Sequence, residues 1–209
     1  MAREASGGVI YKYGKNTELV IYQNFYANNT ANTFRRAIYV GGTKSSVYVT
    51  DTTFRNNVAI RESGGAIHSS GQYANVTLTL PTFHNNSASY CGALNVDNYT
   101  YFSVNLINSI FTYNTASGQT FRGGVACIRN ASINIIDSTF KHNFANHHAG
   151  VFYVDGIKTT VDGSLFINNS AALGGGVFYT YIHASNYIIK RSQFSENMAG
   201  DNGGVMLIG

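Results

Sequence analysis

Phe and Asn recur three residues apart along the whole chain, at Phe25/Asn28, Phe54/Asn57, Phe83/Asn86, Phe111/Asn114, Phe140/Asn143, Phe166/Asn169 and Phe194/Asn197. Successive pairs are spaced 26 to 29 residues apart. Self-similarity at such a period means a stack of units, each too small to bury its own apolar face. Alignment on Phe exposes further columns. Five residues before it stand Val20, Val49, Leu78, Leu106, Ile135, Val161 and Ile189, and five after it Thr30, Ala59, Ala88, Ala116, Ala145, Ala171 and Ala199. Two before it come Gln23, Thr52, Pro81, Ser109, Ser138, Ser164 and Ser192, which are mostly small and polar.

Between these columns lie glycine pairs: Gly7-Gly8, Gly64-Gly65, Gly123-Gly124, Gly175-Gly176 and Gly203-Gly204, with Cys91-Gly92 and Ala149-Gly150 as variants and Arg35-Arg36 in one place. A short apolar run follows each, with a uniformly apolar second position and a mixed third position (Tyr11, Tyr39, His68, Asn95, Cys127, Tyr153, Tyr179, Leu207). That alternation is the period of a strand with one buried face, and no helical period competes with it. Strands and turns in units of this size predict an all-β fold, a single-stranded parallel β-helix of about seven coils of 26 to 32 residues. Residues 1–209 read as one continuous domain with no obvious cap.

The repeated residues have structural roles in this reading. Glycine tolerates the positive φ and the close backbone approach of a corner, which assigns Gly8, Gly65, Gly92, Gly124, Gly150, Gly176 and Gly204 to a corner column. The Asn of each Phe-x-x-Asn points inward and bonds its copies above and below. Phe fills the space beside it, and Ala lets the chain bend back.

The motif pair resembles the repeat of the polymorphic outer-membrane proteins, the Pmp family. It recurs over essentially the whole chain, as in FRNN (54–57), GGAI (64–67), GGVF (175–178) and FSEN (194–197). The resemblance implies a right-handed parallel β-helix and a secreted or surface-displayed protein, commonly with an adhesive role. The chain departs from the pattern at Arg35-Arg36, Cys91 and Ala149.

Composition narrows the function. Only 11% of residues are charged, against about 25% in an ordinary domain, so the surface is neutral polar. The net charge of +4 is scattered apart from Arg35-Arg36 and Lys190-Arg191, which is not the clustered footprint of a nucleic-acid binder. No window approaches the roughly 20 apolar residues of a membrane span, and MAREASGGVI lacks the layout of a secretory signal. With the repeat in phase from first to last residue, the expectation is an excerpt of a longer chain or an open-ended protomer. Its partner would then be further coils of the same chain or another copy, besides any glycan or cell-surface ligand. Extended chain would set Cys91 and Cys127 roughly 13 Å apart laterally, too far to bridge.

Sites of chemistry are sparse. Asp51, Asp137 and Asp162 precede their Phe but form no compact pair for acid and base work. Adjacent His147 and His148 would point apart on a strand, and with His142 they read as exposed loop residues; His68, His84 and His183 are singletons. No metal or cofactor is expected. Sequons begin at Asn28, Asn75, Asn85, Asn98, Asn130 and Asn168. Asn85 and Asn168 precede the ladder Asn and should face outward, whereas Asn28 as a ladder residue should be buried. Outward Tyr13, Tyr39, Tyr153, Tyr179 and Tyr181 are available for lateral or sugar contacts. The reading is a non-catalytic extracellular or cell-surface scaffold of adhesin type. The alternative is a protomer of a head-to-tail filament, and a carbohydrate-active enzyme ranks below both.

Overall fold

The computed structural model describes residues 9–31, 37–60, 63–73, 75–118, 123–180 and 186–208, with the backbone alone at 98–102. Gly7, Gly8, Arg35, Arg36, Tyr181 and His183 lie outside the described residues.

A coil contributes a strand after its glycine pair, such as Ile67–Gly71, and a second strand leading towards Phe, such as Val76–Thr79. A three-residue strand around Phe follows, such as Thr82–His84, then a two-residue strand ending in Ala, such as Ser87–Ala88. Each strand pairs in parallel with its counterpart one coil on, as in Ile67↔Leu94, Leu78↔Leu106, Phe83↔Phe111 and Ala88↔Ala116. The result is a parallel β-solenoid with one 13-stranded and two 7-stranded sheets. Seven strands in a column enclose about six full turns, slightly fewer than the seven coils counted from glycine pair to glycine pair. Leu94–Ile107 and Ala126–Ile136 run unbroken through a corner at which other coils turn, and they join two sets of strands into the large sheet.

The core is a set of columns. Phe54, Phe83, Phe111, Phe140, Phe166 and Phe194 stack face on face, with ring centroids 4.7 to 5.1 Å apart. This spacing follows the roughly 4.8 Å between paired strands. Beside them, Asn57, Asn86, Asn114, Asn143 and Asn169 are fully buried. Each Nδ2 donates to the next Oδ1, as from Asn86 to Asn114 at 3.1 Å, and also back to the Phe carbonyl of the previous coil, as from Asn86 to Phe54 O at 3.0 Å. Each backbone N–H of the column donates to that same next Oδ1. Both amide hydrogens are therefore used, which is what makes a buried amide tolerable.

The first coil is out of step with its motif. Tyr26, not Phe25, pairs with Phe54, and Asn29, not Asn28, donates to Asn57 Oδ1 at 2.8 Å. Ile21 and Ala31 correspondingly take the positions expected of Val20 and Thr30. A one-residue slip exchanges the two faces of a strand. In this coil doublets stand at each column (Val20-Ile21, Phe25-Tyr26, Asn28-Asn29), so the letters fit two registers. Only the slipped one puts Ala at the tight corner and Ile in the core.

Positive φ falls mainly on residues other than glycine. Asn28, Asn56, Asn85, Tyr113, His142, Asn168 and Glu196 form one such corner column, immediately before the ladder Asn. Glycines divide the remaining work. Gly64, Gly175 and Gly203, first of their pairs, have φ of 73°, 71° and 66°. The second member is needed for space: a Cβ on Gly65, Gly92, Gly124, Gly150 or Gly176 would lie 2.0 to 2.3 Å from the carbonyl oxygen of a glycine in the following coil.

Candidate functional site

The third residue after each glycine pair points out of the solenoid, and in-register pairing lines these residues up. Tyr11 stacks on Tyr39 at 5.1 Å, Tyr39 on His68 at 5.4 Å, and His68 Nδ1 meets Asn95 Nδ2 at 2.8 Å. Further along come Cys127, Tyr153 and Tyr179, the tyrosine rings 5.9 Å apart. Tyr153 and Tyr179, expected on the surface, are only 4% and 5% exposed. The stretch before each glycine pair folds back over the outer face and roofs it. His148 lies flat on Tyr179 at 4.1 Å and its Nδ1 accepts the Gly174 N–H at 3.1 Å. His147 and His148 are thus half-buried roof residues, their rings 4.3 Å apart. Burial, reinforced by the neighbouring His147 charge, pulls the His148 pKa below its ordinary value. Burial likewise pushes the Tyr153 hydroxyl up.

This roof creates a second apolar cluster of Cys91, Cys127, Ala149, Tyr153 and Tyr179, with Leu207 against it. Within it Cys91 and Cys127 form a disulfide, with Cα atoms 5.6 Å apart. The expected lateral separation assumed extended chain from Cys91 to Asn95. Instead the corner doubles back, so that Cys91 Sγ lies 3.6 Å from Asn95 Oδ1, and Asn95 is the residue in register with Cys127.

Towards the amino-terminal coils this face holds a pocket of about 540 Å³, lined by Tyr13, Tyr39, His68, Ser70, Gln72 and Asp97 together with Thr43 and two corner glycines. Gly41 makes room for it. A Cβ there would lie 2.6 Å from Tyr39 Oη and 2.9 Å from Tyr13 Cδ2, so both rings extend over the glycine. Tyr39 Oη is 2.8 Å from Ser70 Oγ, and Asp97 Oδ2 is held by Arg129 at 3.4 Å. Sequence reasoning singled out the tyrosines but not Gly41, Ser70, Gln72 or Asp97. The outward alternation of Tyr39-Val40-Gly41 was the available signal.

The remaining candidates do not converge. Asp51 Oδ2 accepts from Gln23 Nε2 at 3.2 Å, while Arg191 grips both oxygens of Asp162 at 2.8 and 2.9 Å and holds that carboxyl below its usual range. Among the described residues no group of three or more His, Cys, Asp or Glu is placed to hold a metal, and no helix is long and apolar enough to cross a membrane. Asn75, Asn85 and Asn130 are exposed and Asn168 is half-buried. The Asn98 backbone pairs with Gly71, and its side chain is outside the description. Asn28, expected to be buried, is exposed, its Oδ1 accepting from Asn56 Nδ2 at 3.1 Å.

No curated protein and no solved structure matches the chain. Residues 51–70, which contain the FRNN and GGAI motifs and stack in register between neighbouring coils, match the model of the Chlamydia polymorphic membrane protein (Chlamydia_PMP) repeat, and the solenoid is accordingly built on the Pmp repeat.

Proposed function

We propose that this chain is a non-catalytic segment of a secreted or surface-displayed protein, an adhesin-like scaffold. The observation that carries the reading is the Pmp repeat at 51–70. The Cys91–Cys127 disulfide supports it, because such bonds persist in oxidising, extracellular settings. Carboxylates already engaged by Gln23, Arg129 and Arg191 offer no acid and base pair for glycoside cleavage. The test has two arms: antibodies against the chain applied to intact producing cells, and beads coated with the folded chain applied to a panel of eukaryotic cells. Surface labelling with adhesion above that of beads carrying reduced, unfolded chain is the expected result. Labelling only after permeabilisation removes the reading.

A filament protomer is the second reading, favoured by the direction of the Asn ladder. All its amide donors point towards the carboxy-terminal coils, from Asn29 through Asn197. Whatever continues the stack, further coils or another copy, must join head to tail, since head to head would set donor against donor. Light scattering of the 209-residue chain across a concentration series separates the two readings: growth into long particles supports the filament, and a constant monomer supports the scaffold.

A further inference from the structure

The pocket beside Tyr13 and Tyr39 has a chemistry the scaffold itself does not require. The inner columns are complete without it, and its Tyr13 wall is 68% exposed. Coils further along close the same face with Tyr153, Tyr179 and the His148 roof, whereas here Gly41 leaves the space open.

The lining narrows the ligand. Two tyrosine rings extending over a glycine present flat, polarisable surface to C–H groups. Around them stand hydroxyl, amide and carboxylate groups from Ser70, Thr43, Gln72 and Asp97, which both donate and accept hydrogen bonds. No Lys or Arg lines the pocket, so a phosphate, sulfate or uronate would meet no counter-charge. An aliphatic peptide anchor would bring no partners for the polar rim, whose desolvation would oppose binding. A molecule with an apolar ring face and a girdle of hydroxyls satisfies both parts of the lining.

We infer that this pocket binds a neutral saccharide unit, its ring face on Tyr13 and Tyr39 and its hydroxyls towards Asp97, Ser70 and Gln72. The inference rests on the adhesin reading and supplies its ligand class. Asp97 is fixed for the task by Arg129, which takes Oδ2 from the far side and has its guanidinium over the Tyr153 ring.

The experiment is NMR of the 209-residue chain with labelled tyrosine rings, titrated with cellotetraose, chitotetraose and mannotetraose, and with tetragalacturonate as the acidic counterpart. At least one neutral tetramer is expected to shift the Tyr13 and Tyr39 signals with a millimolar constant, with Tyr13→Ala and Asp97→Asn each weakening it roughly tenfold. Both variants alter exposed or half-exposed side chains, so folding is retained; an unchanged Phe-ladder spectrum checks this. No shift with any neutral tetramer, stronger binding of tetragalacturonate, or full binding by Tyr13→Ala overturns the inference. Bead adhesion measured alongside separates the two readings. Adhesion without saccharide binding overturns the inference and leaves the adhesin; Tyr13-dependent saccharide binding without adhesion supports the inference and removes the adhesin.

Discussion

Tyr26 stacks on Phe54 with ring centroids 5.2 Å apart, while its neighbour Phe25 is 66% exposed. Phe25→Ala should therefore move the urea midpoint little, within about 0.5 kcal/mol of wild type. Tyr26→Ala removes the ring that closes the first coil and should cost about 2 kcal/mol or more. Equal costs would return the coil to the register of its motif.

Asn114→Ala should be among the most damaging single changes. It strips an acceptor from the Asn86 backbone N–H and side-chain amide and leaves Phe83 O and Asn143 Oδ1 without their donors. Several buried groups unsatisfied at once imply a loss of roughly 3 kcal/mol or more. Denaturation at several concentrations would show whether the coils on either side then unfold separately, as solenoid units can.

The disulfide closes a 36-residue separation, for which chain entropy gives about 4 kcal/mol. The Cys91→Ser, Cys127→Ser double variant should lose a stabilisation of that order, and reductant should lower the wild-type midpoint while leaving the variant unchanged. Two titratable thiols in the denatured, unreduced chain would refute the bond.

Two corner residues should respond in opposite directions. Leu80 carries φ of 57° with its side chain exposed, a conformation Asn adopts at lower cost, so Leu80→Asn should stabilise by about 0.5 to 1 kcal/mol. Gly124→Ala would set a Cβ 2.2 Å from Gly150 O and 2.7 Å from Phe144 O. Backbone on both sides cannot yield cheaply, and a loss of about 2 kcal/mol or more is expected in thermal or urea melts.

Folding lowers the His148 pKa, chiefly by burial. Its charged form is favoured by the unfolded chain, so the fold loses stability as pH falls through the ordinary imidazole value of 6.5 towards the lowered one, and none above that window. Protonation also ends the acceptance of the Gly174 N–H, and the adjacent His147 opposes the charge more than Asp201 favours it. Wild type should weaken relative to His148→Gln between about pH 7.5 and pH 5. Parallel midpoints across that range would show that His148 does not couple protonation to folding.

Much of this architecture is legible in the letters because a solenoid repeats its local rules. Phe54 to Phe194, their Asn partners and the glycine column recur at one period, and parallel pairing places like on like without needing a distant contact to choose the arrangement. The candidate site was less legible. Its tyrosines stood out, but Asp97, Ser70 and Gln72 belong to different coils and meet only because the strands stack.

Sequence by itself determined the coil, its period and its inward columns, since these depend on alternation and on residue size within a few positions. Tertiary structure decided the register of the first coil, where doubled residues suit either face and only Phe54, Asn57 and Ala59 in the next coil discriminate. It also decided the Cys91–Cys127 bond and the open pocket at Gly41. Both depend on how each corner folds back over the outer face, a path set by packing between coils rather than by the pattern within one.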